Sequence, residues 1–330
     1  MLVYLIKRLV YGIATVWLVV SATFVLFYVI PGAKAGASDG EINPVASILA
    51  GRNRDPQLMR RIERDLGLDR PLPVQYASYV ERIFRGDFGR SYLFGAPVGG
   101  LLRASIGPTL SIVAGASVVW LVAGIAVGVT SARRRGTWLD RTAMGFSLSA
   151  MSVPVFVTGL LGVALLVTYL NILVQNRYVP LMESPVQWFL ALWLPWIVLA
   201  LPLIAVYARM VRSNLLDVRG EDYIRTSIAK GLSDARVARH ELRGALTPIV
   251  TMFGLDFAIL VGGSVIVEQV FRIPGLGSLL LRAVTLNDFP VAAGVVITVS
   301  VVVIIVNLVV DLLYGALDPR TRFAAAGGAR

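Results

Sequence analysis

Six apolar runs in this chain are each long enough to cross a lipid bilayer. The first, Leu9–Ile30, would extend about 33 Å at about 1.5 Å per residue, which exceeds the ~30 Å hydrocarbon core of a bilayer. The other five runs are Pro108–Ala132, Ala143–Leu173, Trp188–Val211, Ile249–Phe271 and Pro290–Gly315. Together the runs predict an all-α polytopic membrane protein with six transmembrane helices.

The composition excludes an ordinary soluble domain. Only 15% of the 330 residues are charged and the mean hydropathy is +0.74, whereas about 25% charged residues is usual for soluble proteins. The absence of cysteine excludes disulfides and thiolate metal sites, and His240, the single histidine, cannot form a histidine metal site alone. A cleaved signal peptide ending near Ala33–Ala35 is the alternative for the first run, but such peptides have shorter apolar stretches of about 7 to 15 residues.

Basic residues are distributed unequally between the two sides of the predicted bundle. The richer side receives the N-terminus, the loop after the second run, the segment after the fourth run and the C-terminus, with Lys7, Arg8, Arg133, Arg134, Arg135, Arg141, Arg209, Arg212, Arg219, Arg225, Lys230, Arg236, Arg239, Arg243, Arg320, Arg322 and Arg330. The short loops opposite have only Arg177, Arg272 and Arg282. The positive-inside rule therefore predicts that both termini are cytoplasmic. Because the net charge of +11 is divided among separate loops, we expect no nucleic-acid partner.

Residues 32–105 form a polar insertion between the first and second runs, and we interpret it as an extracytoplasmic domain. Asp55 and Pro56 have the residue types of a helix N-cap and first helical position, and Gly67 fits a helix end. A helix over Gln57–Leu66 follows from these signals. Further along, one helical stripe is expected to pack on the spans; it consists of Tyr79, Val80, Ile83 and Phe84.

The segment 212–248 between the fourth and fifth runs is too long for a simple turn, since helix connections in bundles usually take about 2 to 8 residues. Glu221 and Asp222 at one end and Lys230 at the other complement the dipole of a short helix over 221–230. Gly231 fits a left-handed cap that ends this helix. One side of the helix is expected to contain Tyr223, Ile224, Ser227, Ile228 and Leu232. A solvated or headgroup-lying helix is the alternative.

The run Glu221–Ser233 resembles the EAA loop of ABC importer permeases, in the version of the dipeptide and oligopeptide group. Further ordered similarities are Leu66–Tyr76, Arg85–Ser91, Val270–Gly277 and Asn307–Arg320, so that the resemblance extends from about Met1 to Arg322. Four residues depart from the common pattern: Ser227, Ile228, Glu241 and Gly244. Pro248 also follows Gly231 at a longer spacing than the general permease pattern has.

This resemblance implies a type I (MetI-like) permease fold and a non-catalytic subunit that forms half of a translocation pathway for peptides. It implies a homologous second permease, two ATPase subunits that hold ATP and Mg²⁺, and an extracytoplasmic solute-binding protein; the chain itself would bind no cofactor. The short helix would dock on an ATPase through Glu221, Asp222, Tyr223, Ile224, Arg225, Thr226, Ser227, Ala229, Lys230 and Gly231. Nickel or another small solute is the alternative substrate.

Two carboxylates lie within the fifth run, and both are candidates for the translocation pathway. A charged group at the bilayer centre costs about 2.5 to 3.5 kcal/mol on insertion scales, so Asp256 and Glu268 should face protein or water. Each has an alternative interpretation: Asp256 as a buried hydrogen-bond partner and Glu268 as an interfacial residue. Between them, Gly262 and Gly263 permit either a helix break or close packing, and we expect the latter. Kinks are expected where prolines interrupt runs, at Pro154, Pro195 and Pro202.

The expected organisation is a first span (1–31), an extracytoplasmic domain (32–105), a five-helix core (106–316) and a disordered cytoplasmic tail (317–330). No lysine is preceded by the Gly-x-x-x-x-Gly of a phosphate-binding loop, so ATP must be hydrolysed elsewhere. A proton-coupled secondary transporter using Asp256 and Glu268 is a further alternative. The long segment 212–248 and the lack of a second inverted half argue against it.

Overall fold

A computed structural model describes residues 2–31, 42–50, 55–170 and 177–317 of the chain. Within these ranges every regular element is helical, and one isolated antiparallel bridge joins Arg90 to Pro97. The predicted all-α class is therefore confirmed. The proposed signal-peptide site at Ala33–Ala35 and the tail from residue 318 onward lie outside the described residues.

The N-terminal part contains four helices. Helix α1 (Leu2–Phe24) continues through a π-helical turn, Val25–Val29, and is followed by α2 (Pro44–Leu49), α3 (Pro56–Leu66) and α4 (Leu72–Phe84). The predicted limits of α3 are confirmed: the Asp55 carboxylate accepts from the Gln57 amide at 2.9 Å, and Gly67 has φ +67°. Both signals are local and therefore readable from sequence.

The predicted kink at Pro154 is confirmed, and it is sharp. Helix α5 (Val98–Arg133) is followed by α6 (Trp138–Ser152) and α7 (Val155–Val163), which continues as a π-helical segment, Ala164–Tyr169. Helices α6 and α7 are bent by 100° at the break. Because proline disfavours helical geometry in the residue before it, Val153 is extended, with ψ 124°.

The central helices are α8 (Pro185–Arg219), α9 (Asp222–Ala229), α10 (Asp234–Gly263) and α11 (Val265–Val270). Helix α8 runs without interruption through Pro195 and Pro202, and α10 runs through Pro248. The segment 212–248 is therefore not a separate element. Its first part belongs to α8 and its last part to α10, which leaves α9 and its two short connections between them.

Helices α12 (Leu276–Thr285) and α13 (Phe289–Leu317) complete the described chain. Five helices within the described ranges are long and apolar enough to cross a membrane, and the bent pair α6–α7 makes six if it counts as one span. The six predicted spans are therefore matched only on that count, with the third one broken at Pro154.

The chain divides into two compact units. Unit 1 comprises Met1–Thr109 with Pro274–Ile305, and unit 2 comprises Leu110–Ile273 with Val306–Arg330. In unit 1 the core residues Val20 and Phe24 of α1 and Tyr28 of the following π-helical turn pack with residues of the insertion, including Ile62 and Tyr79. The insertion 32–105 therefore shares its core with the first span.

Helix α4 packs on α1 largely as its stripe predicts. The Tyr76 hydroxyl lies 2.7 Å from the Ser21 hydroxyl, and Tyr79, which is buried, lies 3.1 Å from the Thr23 hydroxyl. Phe84 of the same stripe is 59% exposed, however, so the contact ends before the last turn of the helix.

Unit 2 is built on a close approach of α5 and α8. A Cβ atom at Gly124 would lie 2.8 Å from the Cβ of Tyr207, and one at Gly128 would lie 2.7 Å from the carbonyl oxygen of Ala208. Only glycine fits at these two positions without displacing α8, as is typical of membrane helices that pack through small residues. The fully buried Trp120 and Tyr207 extend this core toward Phe253 of α10.

Candidate functional site

The short helix α9 has a sharply defined C-terminus. Gly231 has φ +74°, its amide donates to the Ile228 carbonyl at 2.9 Å, and the Leu232 amide donates to the Ser227 carbonyl at 3.3 Å. This pair of bonds is the Schellman motif, which satisfies carbonyls that the helix end would otherwise leave unpaired. The predicted left-handed glycine cap is confirmed, and the helix observed, Asp222–Ala229, lies within the predicted range.

One side chain of α9 is fully enclosed by the rest of the chain. Ile224 is only 1% exposed, and α9 contacts both α8 and α10. The predicted apolar side of α9 is therefore buried at Ile224 but not at Ile228, which is 60% exposed. Ile228 faces outward beside the glycine cap, and the sequence-based list of docking residues omitted it.

Tyr223 is placed by a glycine on the neighbouring helix. A Cβ atom at Gly244 of α10 would lie 2.6 Å from the Tyr223 hydroxyl, so the absence of a side chain there makes room for the phenol. Burial raises the pKa of Tyr223 above its usual value, and the negative charges of Glu221 and Glu241 raise it further by smaller amounts. Gly244, a departure from the common permease pattern, thus has a direct structural role.

A charged pair joins the two helices that support α9. The Arg219 guanidinium, in the last turn of α8, donates through Nε to both carboxylate oxygens of Glu241 on α10, at 3.1 and 3.3 Å. Five residues earlier in α8, the Asn214 amide donates to the Ala245 carbonyl at 3.1 Å. Glu241, the other departure on α10, therefore fixes the ends of α8 and α10 next to each other, on either side of α9.

The opposite face of α9 is exposed. Its surface consists of Asp222, Arg225, Thr226 and Ala229, followed by Lys230 and Gly231. The Asp222–Arg225 pair, at 3.7 Å, is solvated on both sides and contributes little to stability. The result is a capped, buttressed helix that presents one face outward, a geometry suited to contact with another protein rather than to bond-making chemistry.

A second charged cluster ties α8 to the start of α6. Asp140 is buried, and it accepts from Arg212 through Nε and Nη2 at 2.7 and 2.8 Å. The same carboxylate accepts from the Gly136 amide at 2.9 Å and from the Ser131 hydroxyl of α5. Four donor groups from three residues therefore meet at one carboxylate, and no local sequence signal predicts this arrangement.

The two predicted pathway carboxylates have different partners. Asp256 is partly exposed and accepts from the buried Tyr207 hydroxyl at 2.7 Å. Glu268 is fully buried and accepts from the Ser264 hydroxyl at 3.0 Å. Helix α10 ends at Gly263, and a Cβ atom at Gly262 or Gly263 would meet nothing within 4 Å. Within the described residues these glycines accompany a helix break rather than close packing.

The described ranges contain no group of three or more His, Cys, Asp or Glu side chains that could hold a metal ion.

Comparisons with known proteins agree with this architecture. Residues 124–323 match the family "Binding-protein-dependent transport system inner membrane component", and residues 1–100 match the N-terminal family of the same components. The chain is 36% identical over 322 residues to the "Probable peptide ABC transporter permease protein y4tP" of Sinorhizobium fredii, which covers 97% of this chain and 99% of that protein. It is also 36% identical over 325 residues to the glutathione transport system permease protein GsiC of Salmonella choleraesuis, which covers 98% of this chain and all of that protein.

These matches extend over nearly the whole chain and include α8, α9 and α10. The chain therefore belongs to the family of binding-protein-dependent transport system inner membrane components, the permease subunits of ABC importers with the type I (MetI-like) fold.

Proposed function

We propose that this permease forms half of the translocation pathway of a peptide importer and receives the motion of an ATPase subunit through α9. A homologous second permease supplies the other half, two ATPase subunits hold ATP and Mg²⁺, and an extracytoplasmic binding protein delivers the solute. Both termini and α9 lie on the cytoplasmic side of the inner membrane, in line with the positive-inside rule.

The observation that carries this proposal is the pairing of a rigid attachment with an open face on one short helix. Ile224 and Tyr223 hold α9 against α8 and α10, while Arg225, Thr226 and Ala229 are exposed. Force applied to the exposed face would reach two spans directly, because packed helices move as rigid bodies whereas a flexible loop absorbs displacement.

Substitutions on the exposed face test the proposal without disturbing the buried side. The variants Ala229→Arg and, separately, Thr226→Arg place a bulky side chain on the outer surface; arginine is a good helix former and is favoured near a helix C-terminus. Each variant is co-expressed with the ATPase subunits of its own transporter, and we measure ATPase copurification and ATP-driven uptake. We expect both to fall at least tenfold.

A matched control is Met182→Arg, because Met182 is 95% exposed and lies in the connection before α8. This variant should keep its ATPase subunits, and all three variants should elute as monodisperse protein in detergent. Full copurification and uptake by Ala229→Arg would contradict the docking role of α9.

Peptides are proposed as the solute because one of the two relatives above is named for peptide transport and the other for transport of glutathione, itself a tripeptide. Uptake of labelled di-, tri- and tetrapeptides by the reconstituted transporter, with nickel as the competing candidate, tests this point. Uptake of nickel without any peptide uptake would refute it. Uptake by the chain alone, driven by a proton gradient, would instead support the secondary-transporter alternative.

Asp256 is the better placed of the two proposed pathway residues. It is partly exposed, whereas Glu268 is enclosed by its own chain in this conformation. Asp256→Asn keeps an acceptor for Tyr207 and removes the charge. This variant should change the rate or selectivity of uptake while ATPase copurification stays intact. Glu268→Gln should alter uptake less.

The insertion 32–105 is proposed as the docking surface for the binding protein.

A further inference from the structure

A groove lies among α5, α6 and α8, entirely within unit 2. Its volume is about 490 Å³, within the ~300–1,000 Å³ range of ligand pockets in proteins. The walls are mostly apolar and come from all three helices, with Ala126 and Val127 from α5, Ala143 and Phe146 from α6, and Leu201 and Ile204 from α8.

The four hydroxyl groups of the groove walls are already engaged. Thr130 donates to the Ala126 carbonyl at 2.7 Å, Thr142 to the Leu139 carbonyl at 3.2 Å, and Ser147 to the Ala143 carbonyl at 2.8 Å. Ser131 donates to Asp140. The hydroxyl protons of the walls are therefore committed to the protein, and the groove suits a hydrocarbon occupant.

One end of the groove is strongly basic. The exposed arginines Arg133, Arg134 and Arg135 follow the α5 wall directly, and the Arg134 amide donates to the carbonyl of the lining residue Thr130 at 3.0 Å. Among the described residues no ion pair joins these arginines to a carboxylate, and the neighbouring Asp140 is bound by Arg212. Trp138, which is 70% exposed, lies next to this turn.

This combination matches the boundary between the hydrocarbon and the headgroups of a bilayer. Exposed tryptophan is enriched at that level, and basic pockets between membrane helices bind anionic lipid headgroups. A second permease with a similar loop would bring like charges to the same place, whereas an anionic lipid offers the complementary charge.

We propose that this groove binds an anionic phospholipid, with one acyl chain between α5, α6 and α8 and the phosphate at the arginine turn 133–135. The lipid would fill the space next to the Asp140–Arg212 cluster and hold the three helices together. This inference is independent of the docking role proposed for α9.

Binding of phosphatidylglycerol and phosphatidylcholine with identical acyl chains, each added to the delipidated full chain in mild detergent, tests the proposal by native mass spectrometry. We expect phosphatidylglycerol to bind more tightly. Arg134→Gln with Arg135→Gln should reduce that preference about 30-fold, since two arginines near an anionic surface contribute about 1 kcal/mol each, at 1.4 kcal/mol per tenfold. The matched pair Arg60→Gln with Arg61→Gln, in the insertion, should leave the preference unchanged.

A second variant tests the apolar part of the site. Ala126→Trp fills the groove from an exposed wall position and should weaken binding of both lipids, while Val118→Trp, at a 63% exposed position of α5 outside the groove, should not. Equal affinity for the two lipids, or an unchanged preference in the arginine variant, overturns the proposal. The proposal is also overturned if Ala126→Trp no longer copurifies with the second permease but still binds lipid, because that result would assign the groove to the partner subunit.

Discussion

Replacing Gly244 by alanine should displace Tyr223 and thereby weaken the attachment of α9. The new Cβ would lie 2.6 Å from the Tyr223 hydroxyl but 3.4 and 3.5 Å from the methyl groups of Val218, so the phenol oxygen is the one severe contact. Overpacking costs about 1 to 3 kcal/mol. The lower end applies here, because Tyr223 is 47% exposed and its ring can rotate outward.

The same substitution has an opposing effect on the helix. Alanine in a helix interior is more favourable than glycine by about 0.5 to 1 kcal/mol, so the global stability of Gly244→Ala should change little. The position of α9 should change instead. If about 1 kcal/mol separates the docking-competent position from the displaced one, uptake should fall roughly fivefold.

The decisive measurement is a double-mutant cycle with Tyr223→Phe, which removes the hydroxyl and leaves only ordinary contacts at residue 244. ATP-driven uptake is compared for the wild type, both single variants and Tyr223→Phe/Gly244→Ala, and the double variant should recover most of the lost activity. Gly145→Ala is the control, since a Cβ there meets nothing within 4 Å. A double variant as impaired as Gly244→Ala would refute the proposed contact.

Three further results are expected. Asp140→Ala should destabilise the protein by about 3 kcal/mol in detergent-titrated unfolding followed by tryptophan fluorescence, because it leaves Arg212 partly buried without its partner; a loss below about 1 kcal/mol would contradict the role of this pair. Gly231→Ala should reduce uptake more than Gly231→Asn, because φ +74° costs alanine about 1 to 2 kcal/mol while asparagine tolerates it; equal effects would exclude backbone geometry as the cause. Burial raises the pKa of Asp288, so the native state binds this proton more tightly than the unfolded state. The resulting stability is present below the pKa of the unfolded state and is lost as pH rises through the pKa of the native state. The thermal midpoint of the wild type should therefore fall relative to that of Asp288→Asn as pH rises above the usual carboxyl pKa of about 4.

Signals carried by a few neighbouring residues were readable from the sequence. Asp55 with Pro56 fixes the start of α3, Gly231 fixes the end of α9, and Pro154 forces the break between α6 and α7. In each case the conformation depends on the residue itself and on bonds to groups a few positions away. The lengths of the apolar runs likewise set the number of spans, because bilayer thickness is an external constant.

Contacts between distant residues were not readable in this way. Asp140 and Arg212 meet across 72 positions, and Gly244 receives Tyr223 from a different helix. The sequence also placed Ile224 and Ile228 on one side, whereas the structure encloses the first and exposes the second. Periodicity gives the residues that share a face of a helix, but it does not give the helix against which that face packs or the point at which the contact ends.

The sequence by itself thus determined the membrane-spanning character of the chain, the glycine-capped helix α9 and the family to which the chain is similar. Only the tertiary structure decided which face of α9 is open, that Glu268 is enclosed, and that the insertion shares its core with α1. The physical reason is that local bonds and bilayer thickness act on each segment separately. Burial, in contrast, is a property of surfaces that meet only after the helices have packed.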